Sequence, residues 1–240
     1  MFPLSDDNPR HRVPVVTLTI IGICISVFIW QVSVTGQTGD AAVLSLGMIP
    51  ARLFGDFGLP AGVIAIPAWL TIFTSLFLHG GWLHLGGNML FLWIFGDNVE
   101  DAMGRPRFIV FYLACGVAAA LAQAAANPSA TAPMIGASGA IAGVLGGYIL
   151  LYPHANVRTL VFLGFFVTVL RIPAAIVLGI WFLLQFLNAL GPGTTEAEGV
   201  AVWAHVGGFV AGLALVAFFK RSEIQLLQPP RSRPFTREAS

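Results

Sequence analysis

Two side chains, Ser138 and His205, carry the most chemical potential in this chain. A serine hydroxyl is a weak nucleophile until a base takes its proton, and an imidazole at hydrogen-bond distance is the usual base. Ser138 sits in Gly136-Ala137-Ser138-Gly139, where glycine permits a tight turn and close approach of other backbone to the serine. A triad would need an acid to orient the imidazole, yet none of the eleven acidic residues lies at the membrane depth worked out below, so a Ser138–His205 dyad is expected. Attack on a carbonyl creates an oxyanion that needs preorganised donors, and the Ser138 N–H, Asn88 and His84 fit that role. A serine at a helix start is ordinarily a cap, and polar groups within spans often only bond between helices.

Other chemistries find fewer residues. No HExxH sequence is present to hold zinc, and Asp97 has no second carboxylate at depth for aspartyl catalysis. A haem between His84 and His205 leaves Ser138 unexplained. Cys24 and Cys115 lie in apolar runs without CxxC pairing. No metal site and no cofactor are expected. Inverted repeats with paired broken helices, as in transporters, are not visible in the two halves.

What must position these groups is a set of membrane helices. Only 10% of the 240 residues are charged while 57% are hydrophobic, and mean hydropathy is +0.84. Soluble domains average about 25% charged residues, so this chain cannot coat itself with solvent. Its net charge of +1 offers no basic footprint for nucleic acid. A core about 30 Å thick takes roughly 20 apolar residues per helix. Six spans are predicted, at about Val13–Val34, from Trp82 to before the Asp97–Asp101 cluster, Phe108–Ala126, Ser138–Tyr152, Ile172–Leu190 and Val200–Phe219. The connection 35–81, apolar but rich in Gly and Pro, is read as an interfacial or partly embedded loop. Eleven of the twelve Lys and Arg residues fall on one side when both termini are cytoplasmic, with Arg52 alone outside. Residues 156–171, between two arginine-bearing ends, read either as inner loop or as a seventh hydrophobic element in the inner interface. The chain divides into a cytoplasmic N-terminus (1–12), a transmembrane domain (13–220) and a Pro-containing tail (221–240) expected to be disordered.

Depth is the observation that groups the polar residues. At 1.5 Å per residue, Ser138 lies about 21 Å above the inner end of its helix, His205 about 22 Å and Asn88 about 20 Å. That level is roughly 8 to 10 Å below the outer surface, and His84, one turn above Asn88, points into the same layer. The loop Asn127–Ala137, with Pro128, Pro133 and Gly136, must descend to meet it, as irregular backbone does where it lines water. Gly139, Gly143 and Gly147 recur every four residues on one helix, and Gly208 and Gly212 on another. Such small-xxx-small faces let helices approach closely enough to bring a serine and a histidine together. Gln123, Gln185 and Asn188 are further amides within spans.

The residues resemble those of the rhomboid family of intramembrane serine proteases. The resemblance rests on His79, His84 and Asn88 in an HxxxxHxxxN pattern, on Gly136-Ala137-Ser138-Gly139, and on Ala204-His205-Val206-Gly207-Gly208 with Gly212. It implies an all-α, six-helix bundle of the bacterial, minimal-core kind in the cell (inner) membrane, with Ser138 as nucleophile and His205 as base. His84 and Asn88 would join the Ser138 N–H as the oxyanion site, opening outward, and His79 would support the loop before them. The implied partner is a transmembrane segment of another protein, cut near its outer end, within the lipid bilayer. Lateral entry would be near Trp181–Gly199. The resemblance assigns no substrate sequence and no oligomeric state. Two departures stand out: Ala142 where some members place a tyrosine that stacks on the histidine, and Pro50-Ala51-Arg52 where some relatives have a Trp-Arg pair. Members lacking the serine or histidine bind and escort membrane proteins instead, and this chain has both.

Overall fold

The computed structural model describes residues 2–34, 36–55, 57–163, 166–191 and 201–230. Its helices in chain order are α1 (Val15–Ser33), α2 (Gln37–Leu46), α3 (Pro50–Phe54), α4 (Ala68–Thr74), α5 (Trp82–Met103), α6 (Arg105–Ala126), α7 (Ser138–Leu151), α8 (Ala174–Leu190) and α9 (Val202–Phe219). Among the described residues α1, α6 and α9 are both long and apolar enough to cross a bilayer. The long first connection folds as α2, α3, α4 and a 3₁₀ turn, Ser75–Phe77, around a small cluster of Met48, Ile72, Ala120 and Ala124.

At the centre stands α7, buried without interruption from Gly139 to Tyr148. A helix that is apolar on every face must be surrounded, and α5, α6, α8 and α9 pack about it. Its tightest neighbour is α9. A Cβ added at Gly208 would collide with the Gly139 carbonyl, and one at Gly212 with the Gly143 carbonyl, so the two helices meet backbone to backbone. Gly143 also abuts Cys115 of α6, and Gly139 is so close to Ala119 that a Cβ would lie 2.6 Å away. Gly139, Gly143, Gly208 and Gly212 therefore line the tightest part of this packing. Gly146, outside that series, meets the Phe209 carbonyl in the same interface.

The acidic cluster at the end of α5 anchors the chain's N-terminal segment. Glu100 accepts the N–H groups of Val16 and Thr17 at 3.0 and 2.8 Å and the Thr17 hydroxyl at 2.8 Å. A carboxylate here satisfies first-turn donors that have no partner within α1 and complements the helix dipole. Asp101 accepts the His11 N–H at 2.9 Å. Glu100→Ala strands buried donors and is expected to cost about 1–3 kcal/mol, read as a lowered unfolding midpoint. A midpoint equal to the native one would remove Glu100 from this role.

The expectation of an all-α fold needs correction. Three strands, β1 (Phe2–Asp6), β2 (Asn156–Leu163) and β3 (Phe166–Pro173), form an antiparallel sheet in the order β1-β2-β3. Residues 156–171, left undecided between loop and seventh element, are thus mostly a β-hairpin in which Arg158 stands opposite Arg171. The segment is rich in Val, Thr and Phe, which favour a pleated surface. Val157 and Thr159 are buried while Arg158 and Leu160 are less so, a period of two. β1 docks through Asp7, whose carboxylate accepts the Asn156 N–H at 2.8 Å, and through Asp6, which accepts the Tyr148 hydroxyl at 2.5 Å. Burial pushes the Asp6 carboxyl up to about 7, partly opposed by that hydrogen bond. The folded chain then holds this proton more tightly than the unfolded chain, whose carboxyl titrates near 3.8. Asp6 therefore withdraws stability progressively as pH rises from about 4 to about 7, and no further above that. Asp6→Asn is expected to flatten this part of the melting-temperature profile, and an unaltered profile would contradict the assignment.

The tail also departs from expectation over its described part. Arg221 donates its N–H to the Ala102 carbonyl at 2.9 Å, Leu227 to Leu150 at 2.8 Å and Gln228 to Leu151 at 3.0 Å. Ile224 and Leu226 pack against the core, which accounts for the order of this stretch. Residues 231–240 lie outside the described residues.

Candidate active site

Ser138 is the first residue of α7, one position past its N-cap Ala137. The hydroxyl meets His205 on α9, with Oγ and Nε2 2.9 Å apart across 67 residues of sequence. Gly136 shapes the approach. Its φ of +127° lies in the region that favours glycine, and a Cβ there would sit 2.8 Å from His84 Nε2. The Gly136 N–H donates to the Ser75 carbonyl at 2.9 Å, fixing the descending loop against the 3₁₀ turn.

His205 is only 9% exposed. On its other side Nδ1 lies 2.9 Å from Gln185 Oε1, and the Trp181 ring lies 5.8 Å away between centroids, at 43°. Both residues belong to α8. The Gln123 side-chain Oε1 accepts the Ala204 N–H at 3.3 Å, satisfying a first-turn donor of α9 beside the histidine. Of the remaining intramembrane amides Asn188 is exposed and outside this group.

His84 and Asn88 are brought to the same place by α5. The Gly80 N–H donates to His84 Nδ1 at 3.2 Å, so in the neutral ring the proton resides on Nε2, the atom nearest Gly136. Asn88 donates one amide hydrogen to the His84 carbonyl at 2.8 Å and is 7% exposed. His84, Ser138 and His205 line two adjoining cavities of about 670 and 220 Å³, the smaller also bounded by Asn88, Trp181 and Gln185. Open space is therefore present beside the hydroxyl.

His79 is 2% exposed and meets the His84 ring edge-on at 5.3 Å. Its backbone is clamped by Gln31 of α1, which accepts the His79 N–H at 2.9 Å and donates to its carbonyl at 3.3 Å. Sequence reasoning named Gln185 only as a polar group and did not single out Gln31 or Trp181. The spacing of Trp181 and Gln185, four residues apart and so on one helix face, was the available signal.

Residues 67–222, well over half of the chain, match the rhomboid domain family. The chain belongs to the rhomboid family. Rhomboid protease GluP of Bacillus subtilis is 34% identical over 155 residues, covering 65% of this chain and 27% of that protein. Rhomboid protein 1, mitochondrial, of Saccharomyces cerevisiae is 37% identical over 97 residues, 39% of this chain and 28% of the relative. Rhomboid-like protease 3 of Toxoplasma gondii is 27% identical over 207 residues, 86% and 69% of the two chains. The first two relatives are thus matched over little more than a quarter of their length. Ser138, His205, His84 and Asn88, from three helices, line one cavity that α8 also bounds.

Proposed function

We propose that this chain is a serine-type intramembrane endopeptidase. The observation that carries the reading is the 2.9 Å contact between Ser138 Oγ and His205 Nε2 at the start of a buried helix, beside a cavity. His205 takes the hydroxyl proton as Oγ attacks the scissile carbonyl. The tetrahedral oxyanion is held by the Ser138 N–H, a first-turn donor, together with His84 Nε2–H and the second amide hydrogen of Asn88. Collapse of this intermediate breaks the C–N bond, His205 returns the proton to the leaving amine, and an acyl-enzyme remains on Ser138. Water, deprotonated by the same imidazole, then releases the acid and restores the serine.

The substrate is a transmembrane segment of another protein. A helical segment has its carbonyls occupied, so the scissile stretch must extend to meet the hydroxyl. In this reading α1, α5, α6, α7, α8 and α9 are the six spans, both termini are cytoplasmic, and the cavity opens toward the outer side of a bacterial inner membrane. Residues 192–200, at the end of the segment expected to admit substrate, lie outside the described residues.

A serine-directed fluorophosphonate tests the reading without knowledge of the substrate. Labelling is expected at Ser138 alone, and to vanish in Ser138→Ala and His205→Ala. A native chain that folds but resists the probe would point to a binding role. Asn88→Ala is expected to slow turnover by about 10- to 1000-fold, the usual loss for one oxyanion donor. An unchanged kcat would remove Asn88 from the site.

A further inference from the structure

We propose that Gln185 is the positioning residue for His205, fixing which ring nitrogen carries the proton and so completing a Ser–His–Gln array with a neutral third member. The inference rests on the Ser138–His205 reading above and answers what takes the place of an orienting acid.

A neutral imidazole has one N–H donor and one bare acceptor nitrogen. General-base catalysis requires that Nε2, the nitrogen 2.9 Å from Ser138 Oγ, be the bare one. The protein can enforce this only from the Nδ1 side. There the partner is the Gln185 carbonyl oxygen, also at 2.9 Å. An amide oxygen accepts and does not donate, so Nδ1 must carry the hydrogen and Nε2 is left for the serine proton. The two bonds lie on opposite sides of one ring and together define its rotation about χ2.

The ring plane is held from the same helix. Trp181, one turn before Gln185 on α8, lies against the imidazole. Position 142 on α7 is a fully buried alanine and presents no aromatic face to the histidine. Orientation of the base thus falls to α8, in a helix whose buried residues are only Ala174, Val177, Leu178 and Ala189. An amide also suits the surroundings, since an ionised carboxylate is costly to remove from water. It stabilises an imidazolium less than a carboxylate would, so its contribution is orientation of the ring.

The test compares native protein, Gln185→Leu, Gln185→Glu and Ser138→Ala, reconstituted in lipid with a single-span reporter, alongside ¹⁵N NMR of histidine-labelled protein. Gln185→Leu keeps the bulk without the acceptor, and is expected to lower kcat about 10- to 1000-fold with KM altered less than about threefold. Gln185→Glu restores an acceptor oxygen and is expected to remain within about tenfold of native. The His205 spectrum of the native chain is expected to show hydrogen on Nδ1, and that of Gln185→Leu a mixture of tautomers. A native ring protonated on Nε2 would overturn the inference. So would native kcat in Gln185→Leu, or equal loss in the Leu and Glu variants with an unchanged tautomer. Native-level cleavage by Ser138→Ala would instead defeat the dyad itself, so the two failures are distinguishable.

Discussion

Replacing Ser138 with alanine is expected to reduce peptide cleavage to background, a loss of at least about 10⁴-fold, while leaving the fold intact. The substitution removes one oxygen atom, whose hydrogen-bond partner is His205 Nε2. The N-cap position of α7 is untouched, because it is occupied by Ala137. His205→Ala should cost nearly as much, since it removes the acceptor for the serine proton. The double variant should be no worse than either single one, because groups that act as a unit fail as a unit. Initial rates on a reporter and thermal unfolding of the same preparations check this. Cleavage above about a tenth of native in either single variant would break the dyad, and strictly multiplicative losses would show that the residues act independently.

The second large effect is expected far from any reacting atom. Gly212→Val places a branched side chain where the Gly143 backbone already lies, in the interface that joins α7 to α9. A carbonyl within a buried helix cannot move aside as a flexible side chain can. The helices must separate, at an expected cost of at least about 1–3 kcal/mol. Ser138 and His205 ride on those two helices, so a 1 Å displacement is enough to disrupt proton transfer, and activity should fall by about 100-fold or more. Gly22→Ala, in α1 where an added Cβ meets nothing within 4 Å, is the control and should lower neither stability nor rate. A Gly212→Val chain that melts and cleaves like the native one would remove close backbone packing from the account.

Much of the site was legible because a membrane makes polar groups conspicuous. Ser138 and His205 could be matched by depth alone, and the repeated glycines beside each implied the close approach that the 2.9 Å contact requires. The partner of Gln185 was not legible, because α8 is apolar on nearly all sides and its sequence does not reveal which face turns toward α9. The sheet escaped for another reason. Burial alternates from Val157 to Leu160, yet the run of Val, Leu and Phe in the sequence hides the period, and the pairing of β1 with β2 joins residues about 150 positions apart. The acidic cluster of α5 looked like a mere end of the span. Its carboxylates instead receive the N–H groups of α1 and the preceding segment, a long-range pairing that spacing alone cannot announce. The ordering of residues 221–230 likewise depends on carbonyls exposed at helix ends, which composition does not record.

The most direct measurement is cleavage of a single-span reporter by the purified chain in lipid vesicles, with the products mapped by mass spectrometry and Ser138→Ala run in parallel. The account predicts one dominant cut in the outer third of the reporter's membrane segment, absent from the variant. A cut that persists in Ser138→Ala, or products arising only from the reporter's water-exposed ends, would contradict it.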